Sequence, residues 1–216
     1  MKIGKWIAGG IAVAALGGAV AFAQYRDIEQ PDYEVVVADD AFELRQYAPM
    51  ITAEVVHTGT RDAVRAKSFR RLAAYIFGQD RPDGGEDIAM TSPVITDRVD
   101  QDEPIAMTAP VISEQDSEGR WRMRFVMPAR YTLDTLPTPP SDITLSQVPA
   151  RRIAAVRFSG NARASDLRVM ETRLIDWIDS QGLTAKGEVQ YAFYDAPMVP
   201  APLRRNEVMV EVAARN

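Results

Sequence analysis

The sequence predicts an α+β fold: a distorted antiparallel β-barrel or curled sheet with two helices packed on it, arranged as a pseudo-twofold duplication. Three observations predict it. Short runs of alternating apolar and polar residues, closed by Pro, Gly, Asp or Ser, recur along most of the chain, which is the pattern of half-buried strands. Two longer stretches repeat their apolar residues every three or four positions instead, as an amphipathic helix does. Finally, FELRQYAPMITAEVVHTG (42–59) aligns without a gap with ITLSQVPARRIAAVRFSG (143–160), 101 residues later. Leu44/Leu145, Gln46/Gln147, Ala53/Ala154, Val55/Val156 and Gly59/Gly160 are identical, and a helical stretch follows each copy. Two copies of one strand-strand-helix-strands unit would share a single sheet and leave a cleft along the axis that relates them, a natural place for a ligand.

Residues 1–23, MKIGKWIAGGIAVAALGGAVAFA, hold Lys2 and Lys5 and then eighteen uncharged residues from Trp6 to Ala23. They read as a signal peptide with a small-x-small site, Ala21-Phe22-Ala23, ahead of Gln24, or as an uncleaved N-terminal anchor near the shortest length that spans a bilayer. Both readings export the protein: it is expected to be periplasmic or otherwise outside the cytoplasm, and membrane-bound only through residues 1–23. Residues 24–32 are a polar tether, and residues 33–216 form the domain. Its strands are expected at YEVVVA (33–38), FELRQY (42–47) and ITAEVVH (51–57), then at WRMRFVM (121–127), ITLSQV (143–148), RIAAVRF (152–158), VQYAFYD (189–195) and EVMVEV (207–212). The helices are expected over Thr60–Phe77, with Thr60 as cap and Gly78 as stop, and over Ser165–Gln181, with Ser165 as cap and Gly182 as stop.

The phrase IAMTSPVI (88–95) returns as IAMTAPVI (105–112) with seven of eight positions identical. Alternation predicts that each is a strand whose regular pairing stops near its proline, which lacks a ladder donor. Met90 and Met107 then take equivalent places, as packing or as polarizable contacts to a flat ligand.

Composition narrows the chemistry. With 216 residues and 46% hydrophobic content the chain can bury a substantial core, and with no cysteine it must hold that core by packing alone. Disulfides, thiolate metal sites and cysteine nucleophiles are excluded together. Removing Lys2 and Lys5 with residues 1–23 takes the net charge from -5 to -7, so the domain lacks the basic footprint of a nucleic-acid binder. No G-x-S-x-G elbow, G-x-G-x-x-G or P-loop is present, and the acidic clusters fall in turns, as solvated charge or a calcium site.

His57 is the one histidine. It shares a strand face with Ala53 and Val55, whose counterparts in the second copy are Ala154, Val156 and Phe158, so it stands where the other half has a phenylalanine. An imidazole on an apolar face is either an axial ligand to heme iron or a core histidine bonded to a backbone carbonyl. Arg61, Arg65, Lys67, Arg70 and Arg71 lie opposite the apolar stripe of the first helix, either solvated or, for Arg65 and Arg71 first, available to a carboxylate such as a porphyrin propionate.

The doubled I-A-M-T-[SA]-P-V-I phrase, the helix end AAYIFG (73–78) and the tail YDAPMVPAPLRRNEVMV (194–210) together resemble the SOUL/heme-binding protein family. The likeness runs from about Tyr33 to Val212, and Arg204-Arg205-Asn206-Glu207-Val208 is its more specific part. It implies a distorted antiparallel β-barrel flanked by two helices, in a pseudo-twofold arrangement shared with bacterial effector-binding domains of the GyrI type. It also implies non-covalent binding of heme or another tetrapyrrole in a shallow hydrophobic cleft beside the first helix and a loop near the C-terminus, here Arg65 to Ile76 and Asp195 to Leu203. The cofactor-binding residues expected from it are His57, Arg65, Arg71, Leu72, Ile76 and Met198, with His57 as the metal ligand. Some members are proposed to use an axial histidine while others bind without one, so iron ligation stays open. Three functions remain in play: a tetrapyrrole binder that buffers or carries heme, an enzyme acting on a tetrapyrrole (for instance by removing its metal), and a GyrI-like binder of other hydrophobic small molecules.

Overall fold

The computed structural model describes residues 28–99 and 119–214; residues 1–23, residues 24–27 of the tether and the second phrase, Ile105–Ile112, lie outside the described residues. The described chain forms strands β1 (Tyr33–Asp39), β2 (Phe42–Tyr47) and β3 (Met50–Gly59), helix α1 (Arg61–Ile76), and strands β4 (Val94–Val99) and β5 (Gly119–Val126). It continues through β6 (Thr144–Val148), β7 (Arg151–Phe158), α2 (Ala164–Ser180), β8 (Leu183–Phe193), a short 3-10 turn at Ala201–Leu203, and β9 (Asn206–Ala214). All nine strands join one antiparallel sheet in the order β1-β2-β7-β9-β8-β4-β5-β3-β6.

That order is a duplication. Exchanging β2 with β6, β3 with β7, β4 with β8 and β5 with β9 maps β2 through β6 of the sheet onto itself, with β1 added at one edge. The register agrees: Leu44 lies opposite Ala154 in the β2/β7 pair, and their counterparts 101 residues away, Leu145 and Ala53, lie opposite each other in the β6/β3 pair. Each copy therefore lends its first strand to the sheet of the other.

The order also forces curvature. β2 and β3 stand six places apart, about 29 Å across a flat sheet at ordinary strand spacing, yet only Ala48 and Pro49 join them, a link that spans at most about 11 Å. β6 and β7, joined by Pro149 and Ala150, repeat the constraint. The sheet must curl until the ends meet.

Three apolar clusters follow from strand alternation. Under α2, Leu167, Leu174, Trp177 and Ile178 pack on Leu44, Ala154, Val156, Val208 and Val210. Under α1, Leu72, Tyr75 and Ile76 pack on Ala53, Val55, Met123 and Phe125. The opposite strand face, turned away from both helices, holds Tyr47, Ile95, Val126, Ile153, Ala155, Ala192 and Met209 from both halves.

Two local expectations are corrected. Ile88–Pro93 is not strand: β4 begins at Val94, after the proline and its cis Ser92–Pro93 bond. The segment is instead pinned as coil, because the Ile88 N–H donates to the Ile76 carbonyl at the end of α1 (2.7 Å), Thr91 Oγ1 donates to the Val126 carbonyl (2.5 Å) and the Ser92 N–H donates to the Glu29 carbonyl (2.9 Å). Those local partners replace a ladder that proline would interrupt anyway. Ser165 is likewise not the cap of α2, which starts at Ala164 after Arg163. The Asp166 carboxylate takes the Arg163 N–H at 3.0 Å, and a carboxylate is the stronger acceptor at a helix start. Thr60, by contrast, caps α1 through its Oγ1, which accepts from the Ala63 N–H.

Candidate functional site

Five of the six residues singled out in the sequence lie on α1 or beneath it. His57 is half-buried beneath the helix, and its Nδ1 lies 2.8 Å from Oγ of the buried Ser68. Desolvation, then the charge of Lys67, hold its pKa below the ordinary value, which keeps the imidazole neutral at pH 7, the form that ligates metals. Arg71 is committed: its Nε and Nη2 donate to the Asp142 carboxylate at 2.5 and 2.6 Å, and its Nη1 pairs with Asp80. Leu72 and Ile76 are core, 0% and 1% exposed, and Arg65 is solvent-exposed. Met198 stands apart, 85% exposed on the loop between β8 and β9. That loop is held against the start of α2, since its Ala201 carbonyl accepts from the Gly160 N–H and Arg204 reaches both the Val199 carbonyl and Asn161. The six residues do not line a common pocket in either of the two cavities described next.

Where the helix-free faces of the two halves meet, side chains nearly fill the space. A cavity of about 10 Å³ remains among Tyr47, Ile95, Ile153 and Met209, room for one water at most. The same face carries a buried ion network. Glu207 is 0% exposed and accepts from Arg45 Nη1 and Nη2 (2.7 and 2.9 Å), from Arg205 Nη2 (2.7 Å) and from the Tyr194 hydroxyl (2.7 Å). Burial alone would raise its pKa; the hydrogen bonds and charges of Arg45 and Arg205 outweigh that and hold it below the usual carboxylate value. Burial likewise opposes the charge on Arg45, and Glu207 reverses the effect, leaving its pKa raised. Composition did not expose this network, although Arg205 and Glu207 belong to the RRNEV stretch that carried the family resemblance.

The larger cavity is a cleft of about 510 Å³ at one end of the curled sheet. One wall is Glu29–Asp32, read from composition as tether, a second is the Ala48–Ile51 turn that joins β2 to β3, and the third is the loop Val126–Asp134. The walls are tied to the body: the Glu29 carboxylate accepts from the Ala129 N–H (2.6 Å), the Ala48 N–H donates to the Asp32 carbonyl (3.1 Å), and the Met127 N–H donates to the Ile51 carbonyl (2.8 Å). Its apolar surface comes from Pro31, Met50, Met127, Pro128, Tyr131 and Leu133, and its polar surface includes Glu29, Asp32 and Asp134. Sequence reasoning missed it because its walls lie up to a hundred residues apart and carry no motif.

The family model described as SOUL heme-binding protein matches residues 28–211. The chain belongs to the SOUL heme-binding protein family. No curated protein matches it. Among solved structures, the C-terminal domain of EcmrR is similar with TM-score 0.57 at 12% identity, covering 84% of this chain and 98% of that one. EcmrR in its complex with DNA gives TM-score 0.58 at 12% identity, over 99% of this chain and 69% of that one. An uncharacterized conserved protein from Listeria innocua gives 0.57 at 13% identity, over 82% of this chain and 94% of that one. Likeness at these identities shows a common fold and leaves function to the site.

For this SOUL-family chain the cleft fits the body of a tetrapyrrole better than its rim. The volume lies within the range of ligand pockets, and the lining mixes apolar with polar side chains. The Tyr131 hydroxyl and the Met50 and Met127 sulfurs are the donor atoms among its lining that can hold iron. The carboxylates of Glu29, Asp32 and Asp134 do not suit ionised propionates.

Proposed function

We propose that this chain binds heme or another tetrapyrrole without covalent attachment, in the cleft walled by Glu29–Asp32, Ala48–Ile51 and Val126–Asp134. The observation that carries the reading is a 510 Å³ cleft, with Pro31, Met50, Met127, Pro128, Tyr131 and Leu133 in its lining, in a member of a heme-binding family. A cysteine-free chain has no thiol for a thioether link, so binding rests on burial of the macrocycle. With residues 1–23 acting as signal or anchor, the protein would buffer or carry the tetrapyrrole on the exported side of the membrane.

Titration of the purified full-length protein with hemin and with metal-free protoporphyrin tests this directly. A saturable spectral change at micromolar ligand is expected, weakened at least about tenfold by Leu133→Asp, which places a charge on the apolar wall. His57→Ala is expected to leave affinity within about twofold, because His57 faces α1 and lines neither cavity. Loss of binding in His57→Ala together with unchanged binding in Leu133→Asp would move the site to the α1 face and sink the cleft assignment.

A further inference from the structure

The mismatch between the cleft's charge and a porphyrin's propionates has a consequence for ligand choice. Resting on the tetrapyrrole reading above, we propose that the cleft selects a tetrapyrrole whose rim lacks ionised carboxylates over one that carries them.

Three acidic side chains, Glu29, Asp32 and Asp134, line the cleft, and no lysine or arginine is among its lining residues. Glu29 is fixed in that position, because its carboxylate accepts from the Ala129 N–H while its carbonyl accepts from the Ser92 N–H. The nearest guanidinium in sequence, Arg130, stands 4.9 Å over the Tyr131 ring, and Arg205 Nη1 donates to the Gln30 side-chain oxygen (3.2 Å), so a dicarboxylate ligand would meet three carboxylates in the lining itself and these guanidiniums only outside it. Arg65, exposed on α1, is not among the cleft's lining residues, and the other candidate arginines are paired. Arg71 is clamped by Asp142 and Asp80, Arg45 is turned inward on Glu207, and Arg205 is shared between Glu207 and Gln30. Like charges within a Debye length repel, and the apolar side chains among them strengthen the effect by lowering the local dielectric. An uncharged rim avoids that repulsion while keeping the whole apolar contact of the ring.

Protoporphyrin IX and its dimethyl ester share one macrocycle and differ in the two ionised carboxylates, so their affinities for the full-length protein isolate the effect. The ester is expected to bind on the order of tenfold more tightly at low salt, with the ratio shrinking as salt screens the carboxylates. Because the ester is also more apolar, the ratio is measured again in Asp32→Asn/Asp134→Asn, where it is expected to fall by about threefold or more. Equal affinities in the unmodified protein, or a ratio that is unchanged by salt and by the double substitution, overturns the proposal while leaving tetrapyrrole binding intact. If neither porphyrin gives a saturable change, both the proposal and the reading beneath it fall.

Discussion

Glu207 is a carboxylate with no access to water, held between Arg45 and Arg205 with the Tyr194 hydroxyl closing the site. Removing its charge takes the bidentate partner from Arg45, which is 1% exposed and keeps one carboxylate partner, Glu43, on its Nε (2.6 Å). Glu207→Gln is therefore expected to cost about 3–5 kcal/mol, read from the urea midpoint, and Arg45→Met in the same chain should return part of the loss by removing a buried cation left with one carboxylate partner. The pH dependence has a definite sign. Glu207 has its folded pKa below the ordinary 4.5, so its contribution is complete above that value and is lost as pH falls below it toward the folded pKa. Asp97 works in the opposite direction: burial raises its pKa beyond what Arg124 and Arg122 offset, so acid favours its folded form. Comparing Glu207→Gln with the unmodified protein from pH 7 to pH 3 separates the two, since only the latter should carry the Glu207 limb. At this scale the sequence was partly legible: RRNEV marked the right residues, while the partner 162 positions away was not readable from it.

At the scale of elements, the identical glycines of the two copies acquire a reason. Gly59 has φ 144° and Gly160 has φ 121°, and each sits where a strand turns into the approach to a helix, a conformation that side-chain-bearing residues avoid. The two sites differ in surroundings: a Cβ on Gly59 would meet Val64 Cγ1 at 3.0 Å, whereas nothing lies within 4 Å of one on Gly160. Gly160→Ala is expected to cost about 1–3 kcal/mol from backbone strain alone. Gly59→Ala should cost more, and thermal unfolding of the pair checks the order; equal losses would mean that Val64 gives way freely. Helix periods, the Thr60 cap and both glycine stops were written locally, which is why α1 and α2 were legible to within a residue or two. The IAMTSPVI phrase was misread because an apolar alternating run looks the same whether its backbone partners lie on a strand or, as here, at a helix end and the N-terminal segment.

Across the whole molecule, the exchange of first strands makes the halves interdependent. β7 pairs with β2 of the first copy, and Leu44 of β2 lies in the core beneath α2. Residues 140–216 expressed alone are expected to show no cooperative unfolding, and to regain it when mixed with residues 28–139; a folded second copy by itself would contradict the exchange. By itself, the sequence determined the class of fold, the two helices, the duplication and the family, because alternation, helical period, caps and a 101-residue repeat are properties of neighbouring residues or of direct self-comparison. Only the tertiary structure decided that Arg71 is spent on Asp142, that Leu72 and Ile76 are core while Met198 stands apart from them, and that a cleft opens beside Tyr131. Ion pairing and cavity shape arise from contacts between distant segments, and the curl that brings them together is imposed by two-residue links spanning six places of the sheet.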